Sequence, residues 1–116
     1  LGYTLNFPFH AGSGRKEIVE GAFGLDLPKK IKSFRPELIL ISAGFDSRRG
    51  DPLGQFTLED QDFSNLTEII CDLADEFCQG KVISILEYVC TTFLKLTFIK
   101  VTFILEKINH LTLLQN

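Results

Sequence analysis

Apolar residues in this chain fall into two kinds of pattern. Leu38-Ile39-Leu40-Ile41-Ser42-Ala43 is apolar on both faces of an extended chain, as a strand buried in a parallel sheet requires. Lys81-Val82-Ile83-Ser84-Ile85-Leu86 repeats that pattern and predicts a second buried strand. Between them, Phe63, Leu66, Ile70, Leu73 and Phe77 recur at three and four residues, the stripe of an amphipathic helix. Thr57 with Asp60 three residues on suggests a capping-box start, and Gly80 supplies a stop.

Upstream, residues 15–34 place Ile18, Val19, Ala22, Phe23, Leu27, Ile31 and Phe34 near helical spacing. Gly21, Gly24 and Pro28 weaken the helix and predict a kink near Leu27. Arg35-Pro36 ends it, because a residue before proline avoids the α region. Tyr3 to Phe9 is aromatic and reads as a short strand broken at Pro8, followed by an Ala11-Gly12-Ser13-Gly14 loop. Strand, helix, strand, helix, strand implies right-handed crossovers and a parallel sheet.

Composition narrows the function. The 116 residues are 45% hydrophobic and 23% charged, which suits one globular domain or part of one. A net charge of −3 does not favour direct nucleic-acid binding. Residues 59–78 carry seven carboxylates and no Lys or Arg, which reads as a solvated helix face. Cys71, Cys78 and Cys90 lack framework or zinc-finger spacing, so free thiols in a reducing intracellular compartment are expected. Tyr88 to Leu105 is apolar, yet Lys95 and Lys100 interrupt it and argue against a membrane span. The chain opens at Leu1-Gly2-Tyr3 in what reads as the middle of a strand, and a fragment is expected.

The candidate chemistry lies where the first apolar strand ends. Ser42-Ala43-Gly44-Phe45-Asp46 runs into Gly50-Asp51-Pro52-Leu53-Gly54, and ligands in open α/β sheets collect at the carboxyl ends of strands. A carboxylate there can hold a metal or orient a substrate, or it can simply cap a turn. Gly12-Ser13-Gly14 before a helix could cradle phosphate, but Glu17 stands where the third glycine of a dinucleotide fingerprint belongs.

These motifs resemble the histone deacetylase superfamily, its class II, acetylpolyamine amidohydrolase and acetoin-utilisation branches in particular. The resemblance covers about Gly2 to Glu87. Besides the Asp46 and Gly50–Gly54 motifs, it rests on Asn6-Phe7-Pro8-Phe9, on Phe34-Arg35-Pro36-Glu37-Leu38-Ile39 and on Ile83-Ser84-Ile85-Leu86-Glu87. It implies part of a three-layer α/β/α parallel sheet of the arginase/deacetylase type in residues 1–87, followed by a divergent hydrophobic segment over residues 88–116. It further implies a zinc-dependent hydrolase acting on acetyl-lysine or an acetylated polyamine, and it leaves oligomeric state open. Asp46 resembles a zinc-binding aspartate and Leu53 an apolar residue of the acyl-lysine tunnel. Gly44, Gly50, Asp51 and Pro52 would shape the turn between them.

The chain departs from the family's pattern at several places. A D-x-H motif for the other zinc ligands is absent, as are the tandem histidines of the general base, and His10 and His110 match no family position. After Glu87 the glycine pair and catalytic tyrosine do not follow, and Tyr88 stands two residues too early. The isolated chain is therefore expected to be inactive, with the reading altered at Glu87 by a retained intron, a frameshift or a gene-model error. The competing expectation is a non-catalytic interaction segment that uses the acidic helix.

Overall fold

The computed structural model describes residues 4–86. Residues 15–34 do form one continuous helical path with a change at Leu27. Lys16–Asp26 is wound as a π-helix, and the N–H of Leu27 reaches back five residues to the carbonyl of Ala22. Helix α1, Leu27–Phe34, continues it with ordinary winding. Pro28 sits in the first turn of α1, where the winding changes and where its missing N–H can make no bond to the preceding π-helix. Arg35 closes the helix in the left-handed conformation, its N–H donating to the Ile31 carbonyl at 2.8 Å.

Strand β1, Ile39–Ala43, and strand β2, Val82–Leu86, pair in parallel with Ile39 opposite Val82 and Ala43 opposite Leu86. Helix α2, Asp60–Cys78, is the crossover between them. The π-helix packs on both α1 and α2. Ile39, Ile41 and Ala43 face these helices and join Ile18, Val19, Phe23, Leu27, Ile31, Leu66, Ile70 and Leu73 in one core. Each of these side chains larger than alanine contributes about 1.5–3 kcal/mol through removal from water. The described residues thus form a sheet with helices against one face, part of the expected α/β/α sandwich.

Three expectations need correction. Residues 4–9 form no strand, because aromatic, β-prone residues still require a partner strand and none is paired with them among the described residues. Strand β2 is not buried: Ile83, Ile85 and Leu86 are 50%, 55% and 57% exposed, since no described element lies beyond it. The start of α2 lies two residues later than Thr57 suggests. Glu59 is its extended N-cap, and the Asp62 carboxylate accepts from the Glu59 N–H at 2.9 Å. The segment 88–116 and its residues Tyr88, Cys90 and His110 lie outside the described residues. No described helix is long and apolar enough to cross a membrane.

Candidate functional site

Asp46 stands three residues beyond the carboxyl end of β1, on the first turn of the loop that joins β1 to α2. Phe45 anchors this point, meeting Phe63 of α2 edge to face with ring centroids 5.1 Å apart. The Asp46 side chain projects from an exposed residue and has no hydrogen-bond or ion-pair partner among the described residues. The main chain on either side of it, by contrast, is hydrogen-bonded. The Arg48 N–H closes a turn on the Phe45 carbonyl at 3.0 Å. A short parallel bridge follows, in which the Arg49 N–H donates to Leu58 O at 2.8 Å and the Leu58 N–H to Ser47 O at 3.2 Å.

The same loop is drawn tight by Asp51. Its Oδ1 accepts from the N–H groups of Leu53 and Gly54, at 2.8 and 2.9 Å, an aspartate turn that aims Gly54 back at the start of the loop. Gly54 packs so closely against the carbonyl oxygen of Asp46 that a Cβ would collide with it. Gly50 takes the positive φ of the loop, +85°, whereas Gly44 does not enter the left-handed region. Leu53 is 69% exposed. Asp46, Gly50, Asp51, Pro52 and Leu53 therefore share one surface loop at the strand edge.

Electrostatics fasten this loop to α2. Arg48 donates from Nε to Asp60 Oδ1 at 2.6 Å and from Nη2 to Oδ2 at 3.2 Å, and Arg49 pairs with Glu59. The hydrogen bond with Asp60 raises Arg48 above its ordinary value, and the Arg48 guanidinium holds the Asp60 carboxyl below the usual carboxylate range. Across the loop, the Thr57 N–H donates to Ser13 O at 3.0 Å, and the Gly12 N–H to Gln55 O at 2.6 Å. Asp62 is buried, 5% exposed, and bonds Arg15 at 2.7 Å as well as the start of α2. The sequence reading missed Asp62 and the arginine pair. Their partners lie 47, 12 and 10 positions away, beyond any local pattern, although two adjacent arginines followed at that distance by two adjacent carboxylates was a usable signal.

A hollow of about 410 Å³ opens beside the strand ends, lined by Ala43, Phe45, Phe63, Thr67, Ser84 and Leu86 with Ser64. Among the described residues no titratable side chain lines it. Among the described residues no three His, Cys, Asp or Glu side chains converge as a metal would require. Asp46 is thus suited to be one donor, and one carboxylate does not hold zinc. Cys71 and Cys78 are free, and burial pushes the Cys78 thiol up.

A profile described as the histone deacetylase domain matches residues 1–90. The chain belongs to the histone deacetylase family. It is 41% identical over 88 residues to the human polyamine deacetylase HDAC10, covering 75% of this chain and 12% of that protein. It is 38% identical over 87 residues to histone deacetylase 15 of Arabidopsis thaliana, covering 74% and 15%, and 30% identical over 86 residues to the histone deacetylase-like amidohydrolase of Pseudomonas aeruginosa, covering 74% and 22%. The crystal structure of the HDA15 HD domain superimposes with a TM-score of 0.63 at 37% identity, over 74% of this chain and 23% of that one. The described residues are accordingly a partial α/β deacetylase fold. The chain spans between an eighth and a quarter of the length of these relatives.

Proposed function

We propose that this segment supplies Asp46 as one metal-binding carboxylate of a zinc-dependent deacetylase that hydrolyses an acetylated amine, acetyl-lysine or an acetylated polyamine, to acetate and free amine. The observation that carries the reading is a carboxylate without a partner among the described residues, just beyond the carboxyl end of β1, with hydrogen-bonded main chain on either side of it. A bound zinc would polarise the acetyl carbonyl and acidify a water, which suits amide hydrolysis near neutral pH. The chain's own part is to keep the Asp46 carboxylate aimed outward and unpaired, through the aspartate turn at Asp51 and the contact of Gly54. Leu53, apolar and exposed on the same loop, would line the approach of the aliphatic acyl-lysine stem. The name of the human relative specifies polyamines and that of the Arabidopsis relative histones, so both substrate classes stay within the proposal.

The 116-residue chain alone is proposed to be inactive, because the remaining metal donors, a general base and a hydrogen-bond donor to the oxyanion would come from outside it. The test has two arms. The purified chain should hold zinc well below one equivalent and turn over neither an acetyl-lysine peptide nor an acetylated polyamine. A hybrid in which residues 1–86 replace the matched segment of the Pseudomonas amidohydrolase should hold zinc and lose it in Asp46→Ala. Stoichiometric zinc retained by that hybrid variant would remove Asp46 from the metal site.

A further inference from the structure

Arg48 occupies a one-residue bridge to Leu58, and Arg49 opens the turn that follows it. Each finds its own carboxylate at the start of α2. Arg48 meets Asp60 with two N–H···O contacts, 2.6 and 3.2 Å, and Arg49 meets Glu59. Between the two pairs runs the backbone bridge of Arg49 and Ser47 with Leu58. The carboxylates are the N-cap and first residue of α2, where the helix dipole favours negative charge.

All four side chains are substantially exposed, so the pairs add little to global stability. Their effect is local. A two-point guanidinium–carboxylate contact fixes relative orientation as well as distance. Here it fixes residues 47–49 against a helix whose apolar face is locked in the core. Asp46 is the preceding residue and has no side-chain partner of its own among the described residues, so the main chain sets its direction.

We propose that Arg48 and Arg49 are positioning residues for Asp46, forming a two-arginine clasp onto Asp60 and Glu59 that orients the metal-binding carboxylate before metal arrives. The proposal rests on the reading of Asp46 as a metal ligand. It assigns the arginines no contact with metal or substrate. Lys29 provides the control, since its exposed pair with Asp26 lies on the helical path of residues 16–34 and involves no residue of the loop 44–54.

Amide hydrogen exchange on the 116-residue chain decides the clasp without metal. The N–H groups of residues 49 and 58 should be protected, and Arg48→Ala with Arg49→Ala should speed their exchange about 10-fold while the N–H of Ile70 changes by less than about 2-fold. Reversing one pair, Arg48→Asp with Asp60→Arg, should recover much of the protection at these two amides. Absent protection in the unsubstituted chain, or no change in the double variant, overturns the proposal. In the hybrid, zinc affinity measured by chelator competition should weaken about 10-fold in the double variant, in the range of groups that orient a ligand, and stay unchanged in Lys29→Ala. Zinc binding that is lost in Asp46→Ala yet unaffected by the double variant overturns the clasp and leaves the ligand reading standing. Zinc retained in Asp46→Ala removes the ligand reading first and the clasp's role with it.

Discussion

Two glycines of the Asp46 loop should fail for opposite reasons when a side chain is added. Gly50 has φ +85° and open space around its absent Cβ. Its cost on substitution is conformational, about 1–2 kcal/mol for an L-residue forced into the left-handed region. Asparagine tolerates that region better than alanine does. Gly54 lies outside the left-handed region, and its Cβ would strike the main-chain carbonyl of Asp46. Backbone cannot swing aside as a side-chain tip can, so Gly54→Ala should cost about 1–3 kcal/mol of overpacking. Reduced freedom of the unfolded chain returns about 0.4–1 kcal/mol at either site. Gly50→Asn should then be milder than Gly50→Ala, whereas Gly54→Asn should be at least as damaging as Gly54→Ala. Urea unfolding of the 116-residue chain, followed by circular dichroism, measures each midpoint at unchanged slope. A Gly54→Ala variant within about 0.5 kcal/mol of the parent would refute the collision. Parallel Ala and Asn effects at the two sites would refute the division into conformational and steric causes.

Two further predictions concern the core and acid sensitivity. Ile31 is 0% exposed at the contact of α1 with the rest of the core, so Ile31→Ala should destabilise by about 2–5 kcal/mol and Ile31→Val by about 0.5–1.5 kcal/mol, read from the same urea midpoints. Glu17, held low by the Gly14 N–H, and Asp60, held low by Arg48, have folded values below their ordinary 4.5 and 3.8. Their stabilising contribution is therefore complete above those ordinary values and is lost as pH falls through the folded ones. Stability measured from pH 7 down to about 3 should fall less steeply in Glu17→Gln and Asp60→Asn than in the parent.

The parts of the fold legible in the sequence were those fixed by local pattern. Strand β1 was readable because both faces of Leu38–Ala43 are apolar, and α2 because its stripe from Phe63 to Phe77 holds for about four turns. The change of winding at Leu27 falls where Gly21, Gly24 and Pro28 weaken the helix, although that composition gave no sign of π winding. The start of α2 was misplaced because the chain contains the same i, i+3 spacing twice, Thr57 with Asp60 and Glu59 with Asp62. Leu58 breaks the tie: it is buried and extended in the bridge to Arg48, so helical backbone cannot begin before it. The same bridge explains why the acidic run is not uniformly solvated. Once Glu59 becomes the cap, Asp62 turns inward to meet its N–H, and Arg15 neutralises the buried charge. Strand β2 illustrates a different limit, since its residues are as apolar as those of β1 and burial depends on neighbours that no five-residue pattern encodes. The position of Asp46 on a loop beyond a strand's carboxyl end was legible from the apolar run before it. The groups that hold it were not, because each is one half of a pair whose other half is distant in sequence.

Both kinds of incompleteness in this segment lie at the same sheet. Strands β1 and β2 are each open on one edge among the described residues, and the outer face of β2 leaves Ile83 and Ile85 half in water. Asp46, just beyond the carboxyl end of β1, would be one donor of the proposed zinc site, and such a site needs at least three protein ligands. In a parallel sheet every strand delivers its following loop to the same edge. A strand that paired with either open edge would cover apolar side chains and also present its own loop beside Asp46. Completion of the core and completion of the metal site would then be one structural event. On this view the deacetylase fold joins stability to chemistry: the surface that is costly to leave bare is also the surface whose partner brings the missing ligands.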